Sequence, residues 1–149
     1  MENLKELVSI KSFDTKQNKE IINYLEKRFA PNSKEIIKVK SLKDDREGLI
    51  IGINTQLKNI NNAIVLSGHI DTVTADEKSY KTNPYCPTII NDKMYGLGTI
   101  DMKSYFGVIL DNLNKIKNLD DPIIIAITGD EETTLDCIMR VQEELLNGQ

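Results

Sequence analysis

The sequence predicts one α/β domain. Two unbroken apolar runs, 63–66 and 123–127, read as buried strands. Two longer stretches, near 18–29 and 102–117, carry apolar residues at helical spacing. Strands that alternate with helices define the class, and 149 residues suffice for one core.

In chain order, Leu4, Leu7 and Val8 predict a short first helix ending near Ile10. Ser12-Phe13-Asp14-Thr15 reads as a turn. Asn18 is the expected cap of a second helix that buries Ile21, Ile22, Leu25 and Phe29 and stops at Pro31-Asn32-Ser33. A strand over 36–39, a polar solvated turn over 43–48, a strand over 49–53 and a loop over 58–62 follow. Residues 74–87 have no period, and a loop of that length is usually functional, so it reads as the rim of a site. Thr88-Ile89-Ile90, Asn91-Asp92 and Lys93-Met94-Tyr95 predict a hairpin with a polar turn. The third helix runs from after Asp101 to about Lys117, with Tyr105, Ile109, Leu113 and Ile116 inward. After a turn at 118–122, the strand at 123–127 is expected to be covered on both faces. Thr133 or Thr134 then caps a last helix that points Leu135, Ile138, Met139 and Leu145 inward.

A net charge of −4 points away from nucleic acid and from an anionic membrane surface as partners. Cys86 and Cys137 form no CxxC pair, so a reduced, cytoplasmic protein is expected. Met1-Glu2-Asn3-Leu4 has no apolar signal region, and no apolar run approaches membrane-spanning length.

The chemistry centres on Ser67-Gly68-His69-Ile70-Asp71-Thr72-Val73. His69 is the only histidine. Asp71 lies two residues on, which on an extended backbone puts both side chains on one face. One imidazole nitrogen can then bind a metal while the carboxylate takes the N–H of the other. The plainer alternative is a histidine that ends a strand near an acid. Two later stretches favour the metal: Tyr95-Gly96-Leu97-Gly98-Thr99-Ile100-Asp101-Met102-Lys103-Ser104 and Ile127-Thr128-Gly129-Asp130-Glu131-Glu132-Thr133. Each mounts acids where a strand or loop meets a helix. One imidazole and several carboxylates suit zinc or a similar divalent ion.

These three motifs, in this order and spacing, resemble the di-zinc amidohydrolases that include acetylornithine deacetylase, succinyl-diaminopimelate desuccinylase and the glutamate-releasing carboxypeptidases. The run from Met94 to Leu113 and the threonine after the glutamate pair follow the first of these. The resemblance implies part of a mixed-sheet α/β/α zinc-peptidase-like catalytic domain. It implies that His69 binds one metal, that Asp71 orients it, that Asp101 bridges two metals, that Glu132 binds the second, and that Glu131 is the general base. It also implies two zinc ions, with cobalt possible, about 3.5–4 Å apart, and a cis peptide between Asp101 and Met102.

Ser104, Lys11, Tyr80, Tyr85 and Asp136-Cys137 depart from the family pattern. The largest departure is length, since the family's chains are more than twice as long and supply a further acidic ligand, a second histidine ligand and a lid and dimerisation domain. The expectation is therefore an N-terminal part of the catalytic domain, truncated, with weak or absent zinc and no appreciable deacetylase activity alone. The implied substrate is a small N-acyl amino acid, N-acetylornithine foremost. An inactive remnant or binding module of the same fold, and a desuccinylase or dipeptidase, are the alternatives. A homo-oligomer through a surface other than the family's lid interface is also expected, because an open sheet edge invites pairing.

Overall fold

A computed structural model describes residues 1–58 and 62–147, so the loop expected at 58–62 falls largely outside the described residues, as do the last two residues of the chain. The elements are α1 (Glu2–Ser9), α2 (Thr15–Phe29), β1 (Glu35–Lys40), β2 (Glu47–Ile53), β3 (Ile64–His69), β4 (Thr88–Ile90), β5 (Lys93–Tyr95), α3 (Lys103–Ile116), β6 (Ile123–Thr128) and α4 (Asp136–Asn147). The main sheet has the order β1-β2-β6-β3. β1–β2 and β2–β6 are antiparallel and β3–β6 is parallel, which makes the sheet mixed.

The period of two along the central strands sorts the core into two layers. Leu49, Ile51, Ile53, Ile123, Ile125 and Ile127 join Leu7, Ile21, Leu25, Phe29, Phe106 and Leu113 beneath the first three helices. Ile50, Ile124 and Ala126 turn the other way and meet Val39, Val141 and Leu145, where α4 covers the sheet. β6 is buried at every position, as its unbroken apolar run predicts. β4 and β5 pair as the expected hairpin, with Asn91 and Asp92 at φ 48° and 60°, the left-handed pair that a two-residue turn requires.

Several expectations are corrected. β3 is a sheet edge rather than a buried strand: it pairs only with β6 among the described residues, and Ile64 and Val65 are each 48% exposed. α2 is capped by Asp14, whose side chain accepts the Gln17 N–H. Asn18 lies buried inside the helix and stitches it to the sheet, donating to the carbonyls of Glu47 and Gly129 and accepting the Glu47 N–H. The inward stripe of α3 centres on Phe106, Ile109, Leu110 and Leu113, with Tyr105 and Ile116 at its margins. The last helix starts at Asp136 and is capped by Asp130, not by a threonine: the Asp130 carboxylate accepts the N–H groups of Asp136 at 2.8 Å and Cys137 at 3.0 Å, and the Thr134 hydroxyl at 2.6 Å. Its buried face is Cys137 and Val141, while Leu135, Ile138 and Met139 are exposed. The turn at 43–48 is not simply solvated either, because Arg46 is buried within it.

Candidate metal centre

The parallel register pairs His69 with Thr128, so the carboxyl ends of β3 and β6 lie side by side. Clefts for ligands form at such strand ends in open α/β sheets. β3 delivers His69 and Asp71 there, β6 delivers the turn that holds Glu131 and Glu132, and the loop ahead of α3 delivers Asp101. That loop turns through Gly98, at φ 83°, where a side chain would collide with the stem of Lys103. The Asp101–Met102 peptide is cis, as the resemblance implies.

His69 Nε2 stands 2.9 Å from Asp101 Oδ1 and 4.0 Å from Glu131 Oε2. Ligand atoms of His69, Asp101 and Glu132 all lie within 4.8 Å of one another. His69 is buried, while Asp101 and Glu132 are exposed, so the cluster opens to solvent on its acidic side. An imidazole nitrogen with two carboxylates is a donor set that fits zinc or a comparable divalent cation.

Asp71 sits beneath this cluster with no exposed surface. Its relation to His69 differs from the expected carboxylate bond. Nδ1 is 3.1 Å from the Asp71 backbone carbonyl and 3.5 Å from its carboxylate, beyond a good hydrogen bond. The carboxylate accepts instead the backbone N–H groups of Glu131 at 3.2 Å and Glu132 at 2.9 Å. Asp71 therefore ties the strand that carries the imidazole to the turn that carries the acids.

The electrostatics follow from this crowding. The Asp71 carboxylate first, and Asp101 after it, outweigh burial and raise His69 to about 9. Burial, then the neighbouring Glu131, push the Glu132 carboxyl above its ordinary value. Without a cation, a proton on the imidazole is the charge that the surrounding acids favour.

Sequence reasoning missed three contributors. Arg46 lies behind Asp71, with Nη1 3.6 Å from Oδ2. Asp130 sets the turn on which the glutamates stand. Lys103 is buried at the start of α3, where Nζ donates to the carbonyls of Leu7 at 3.0 Å and Ile10 at 2.5 Å and so closes the end of α1. Burial lowers this lysine to about 7. Asp130 and Lys103 adjoin the motif acids in sequence, a usable signal, whereas Arg46 reaches the site only through the sheet.

The profile of peptidase family M20/M25/M40 matches residues 65–146, over half of the chain, including every acid and the histidine of the cluster. The chain belongs to this family. Among individual proteins, it is 44% identical over 77 residues to an acetylornithine deacetylase of Buchnera aphidicola subsp. Acyrthosiphon pisum (strain Tuc7), a match that takes in 50% of this chain and 20% of that one. An acetylornithine deacetylase of Aliivibrio fischeri (strain MJ11) is 45% identical over 74 residues, 48% of this chain and 20% of the other. The match thus spans about a fifth of these curated relatives. Human carnosine dipeptidase 1 shares the fold, with a TM-score of 0.81 at 19% identity, over 99% of this chain and 36% of that structure. Among the described residues, no helix is long and apolar enough to cross a membrane.

Proposed function

We propose that this chain carries part of the metal centre of an amidohydrolase that releases amino acids from their N-acyl forms, with N-acetylornithine as substrate. The observation that carries the reading is the convergence of His69, Asp101 and Glu132 ligand atoms within 4.8 Å at the carboxyl ends of β3 and β6. The deacetylase name of the relatives at 44–45% identity supports the choice of substrate.

In this reading His69, Asp101 and Glu132 would hold the metal, with His69 a ligand of one cation, Glu132 of a second and Asp101 of both. Zinc, when bound, supplies Lewis acidity. Glu131 takes a proton from the attacking water and returns it to the departing nitrogen. The water oxygen ends on the acyl carbon, the C–N bond breaks, and ornithine leaves with its amine reprotonated. Asp71 keeps His69 and the glutamate turn in place throughout.

Catalytic zinc sites commonly take three protein ligands plus water. Shared between two cations, the three residues named here would give each one only two ligands and so would hold metal weakly. Two free cysteines, one exposed and one buried, support a cytoplasmic setting. The open β3 edge supports self-association.

The test is uptake of zinc or cobalt, with hydrolysis of N-acetylornithine measured against N-succinyl-diaminopimelate and a dipeptide. Uptake that His69→Ala abolishes, with little turnover, is expected. Absence of uptake by the unaltered chain overturns the metal reading. Turnover of the dipeptide in preference to N-acetylornithine, lost in Glu131→Ala, overturns the substrate assignment.

A further inference from the structure

We propose that Arg46 is a positioning residue of the metal centre. Its guanidinium holds the Asp71 carboxylate and thereby fixes both the His69 imidazole and the Glu131–Glu132 turn. This rests on the metal-binding reading of His69, Asp101 and Glu132.

The Arg46 side chain is only 7% exposed and reaches three separate parts of the chain. Nη2 donates to the Phe13 carbonyl at 2.7 Å, in the turn between α1 and α2. Nε stands 3.2 Å from the Asp44 carboxylate, an ion pair without a hydrogen bond among the described residues. Nη1 stands 3.6 Å from Asp71 Oδ2 and makes no hydrogen bond among the described residues. A buried guanidinium nitrogen with no other partner is thus directed at a carboxylate that has no exposed surface. Buried charges persist where they are paired.

The pairing extends to the site because Asp71 is already committed to it. Its two oxygens receive the amides of Glu131 and Glu132, and its carbonyl faces His69 Nδ1. A shift of the carboxylate moves the imidazole and the glutamate turn relative to each other, which sets the spacing of the candidate ligands. Lysine can supply the charge but not the planar group that bonds the Phe13 carbonyl while standing beside the Asp44 and Asp71 carboxylates.

The test uses the whole chain labelled with 15N-histidine, in which His69 gives the one imidazole signal set. Arg46→Met, Arg46→Lys, Asp71→Asn and the Arg46→Met/Asp71→Asn double variant are compared at a single pH. Zinc affinity is read by competition with a chromophoric chelator, and the His69 imidazole nitrogens by NMR with and without zinc. Arg46→Met is expected to weaken zinc binding about 10–100-fold and to displace the His69 signals. Arg46→Lys should recover part of both, and the double variant should bind zinc as Asp71→Asn alone does, because Arg46 acts through Asp71.

Unchanged affinity and unchanged imidazole signals in Arg46→Met overturn the proposal, as do losses that add in the double variant. If the unaltered chain takes up no zinc, the metal reading fails and the metal-free imidazole signals decide. Displacement in Arg46→Met with return in Arg46→Lys then supports the positioning role, and coincidence with the unaltered chain overturns it. If Arg46→Met does not fold, Arg46→Lys carries the comparison: weakened zinc binding or displaced signals support the proposal, and values equal to the unaltered chain overturn it.

Discussion

The Asp71 carboxylate accepts the backbone N–H of Glu132 at 2.9 Å, across 61 positions of sequence. A buried acid at the end of one strand thus sets the height of the turn that follows its parallel neighbour. Replacing Asp71 by alanine orphans the Glu131 and Glu132 amides and leaves Arg46 buried beside no second carboxylate. Breaking one side of a buried charged network costs about 3–5 kcal/mol. Asp71→Ala should therefore lower stability to urea by about 3 kcal/mol, with Asp71→Asn intermediate because the amide oxygen still accepts.

His69 and Lys103 should give opposite pH dependences in chelator-treated protein. His69 is raised from 6.5 to about 9, so its stabilisation is complete below pH 6.5 and is lost as pH climbs through 9. Lys103 is lowered from 10.5 to about 7, so above pH 7 the unfolded chain holds more protons than the folded one and stability rises until about 10.5. Between pH 7 and 9 the two trends offset each other. Unfolding by urea across this window should show a shallow slope in the unaltered protein. It should show a clear rise with pH in His69→Gln and a clear fall in Lys103→Met. Parallel slopes in all three would contradict both assignments.

Metal uptake should strengthen with pH through the same range, since a ligand imidazole must give up its proton. Zinc titrations at pH 6.5 and pH 8 are expected to differ in that direction, with about one proton released per zinc bound at the lower pH. His69→Gln should abolish the proton release along with the binding.

Asp130→Ala should act on both fold and site. It removes the acceptor of the Asp136 and Cys137 amides and of the Thr134 hydroxyl. Loss of a cap costs about 1–2 kcal/mol, and the turn carrying Glu131 and Glu132 loses its anchor. Thermal melts and zinc affinity should both fall, whereas Thr133→Ala, whose hydroxyl accounts only for contacts with Asp44 and the Asp130 carbonyl, should leave zinc affinity near normal.

The open edge of β3 should make the chain associate with itself at high concentration. Val65→Lys places a charge on that edge, a device that discourages strand pairing. Sedimentation should show a concentration-dependent species in the unaltered chain and a monomer in Val65→Lys. A monomer in both would rule out the edge as a contact.

The class, the hairpin and nearly every element were legible in the sequence, because apolar runs and helical periods are local properties of the chain. The three acidic motifs were legible as well, and the fold does bring His69, Asp101 and Glu132 together. What escaped notice depends on neighbours in space. Ile64 and Val65 have the composition of a buried strand, and only the sheet order makes them an edge. Asp14 and Asp130 outcompete Asn18 and the threonines as caps because the helices begin elsewhere than their first polar residue indicates. Arg46 sits among charges in a polar turn, and nothing local marks it as buried.

β3 has a ladder on one side only, and its last residue is His69. Edge strands exchange their amide protons through local openings that need far less free energy than global unfolding. The imidazole is therefore mounted on one of the two edge strands of the main sheet, whereas its neighbour β6 is paired on both sides. Cation capture and strand opening would become one equilibrium: an ion that held His69 to Asp101 and Glu132 would also hold the carboxyl end of β3. Amide exchange along 64–69 should slow on metal addition while exchange in β6 stays as it was, so that the sheet itself records when the site is filled.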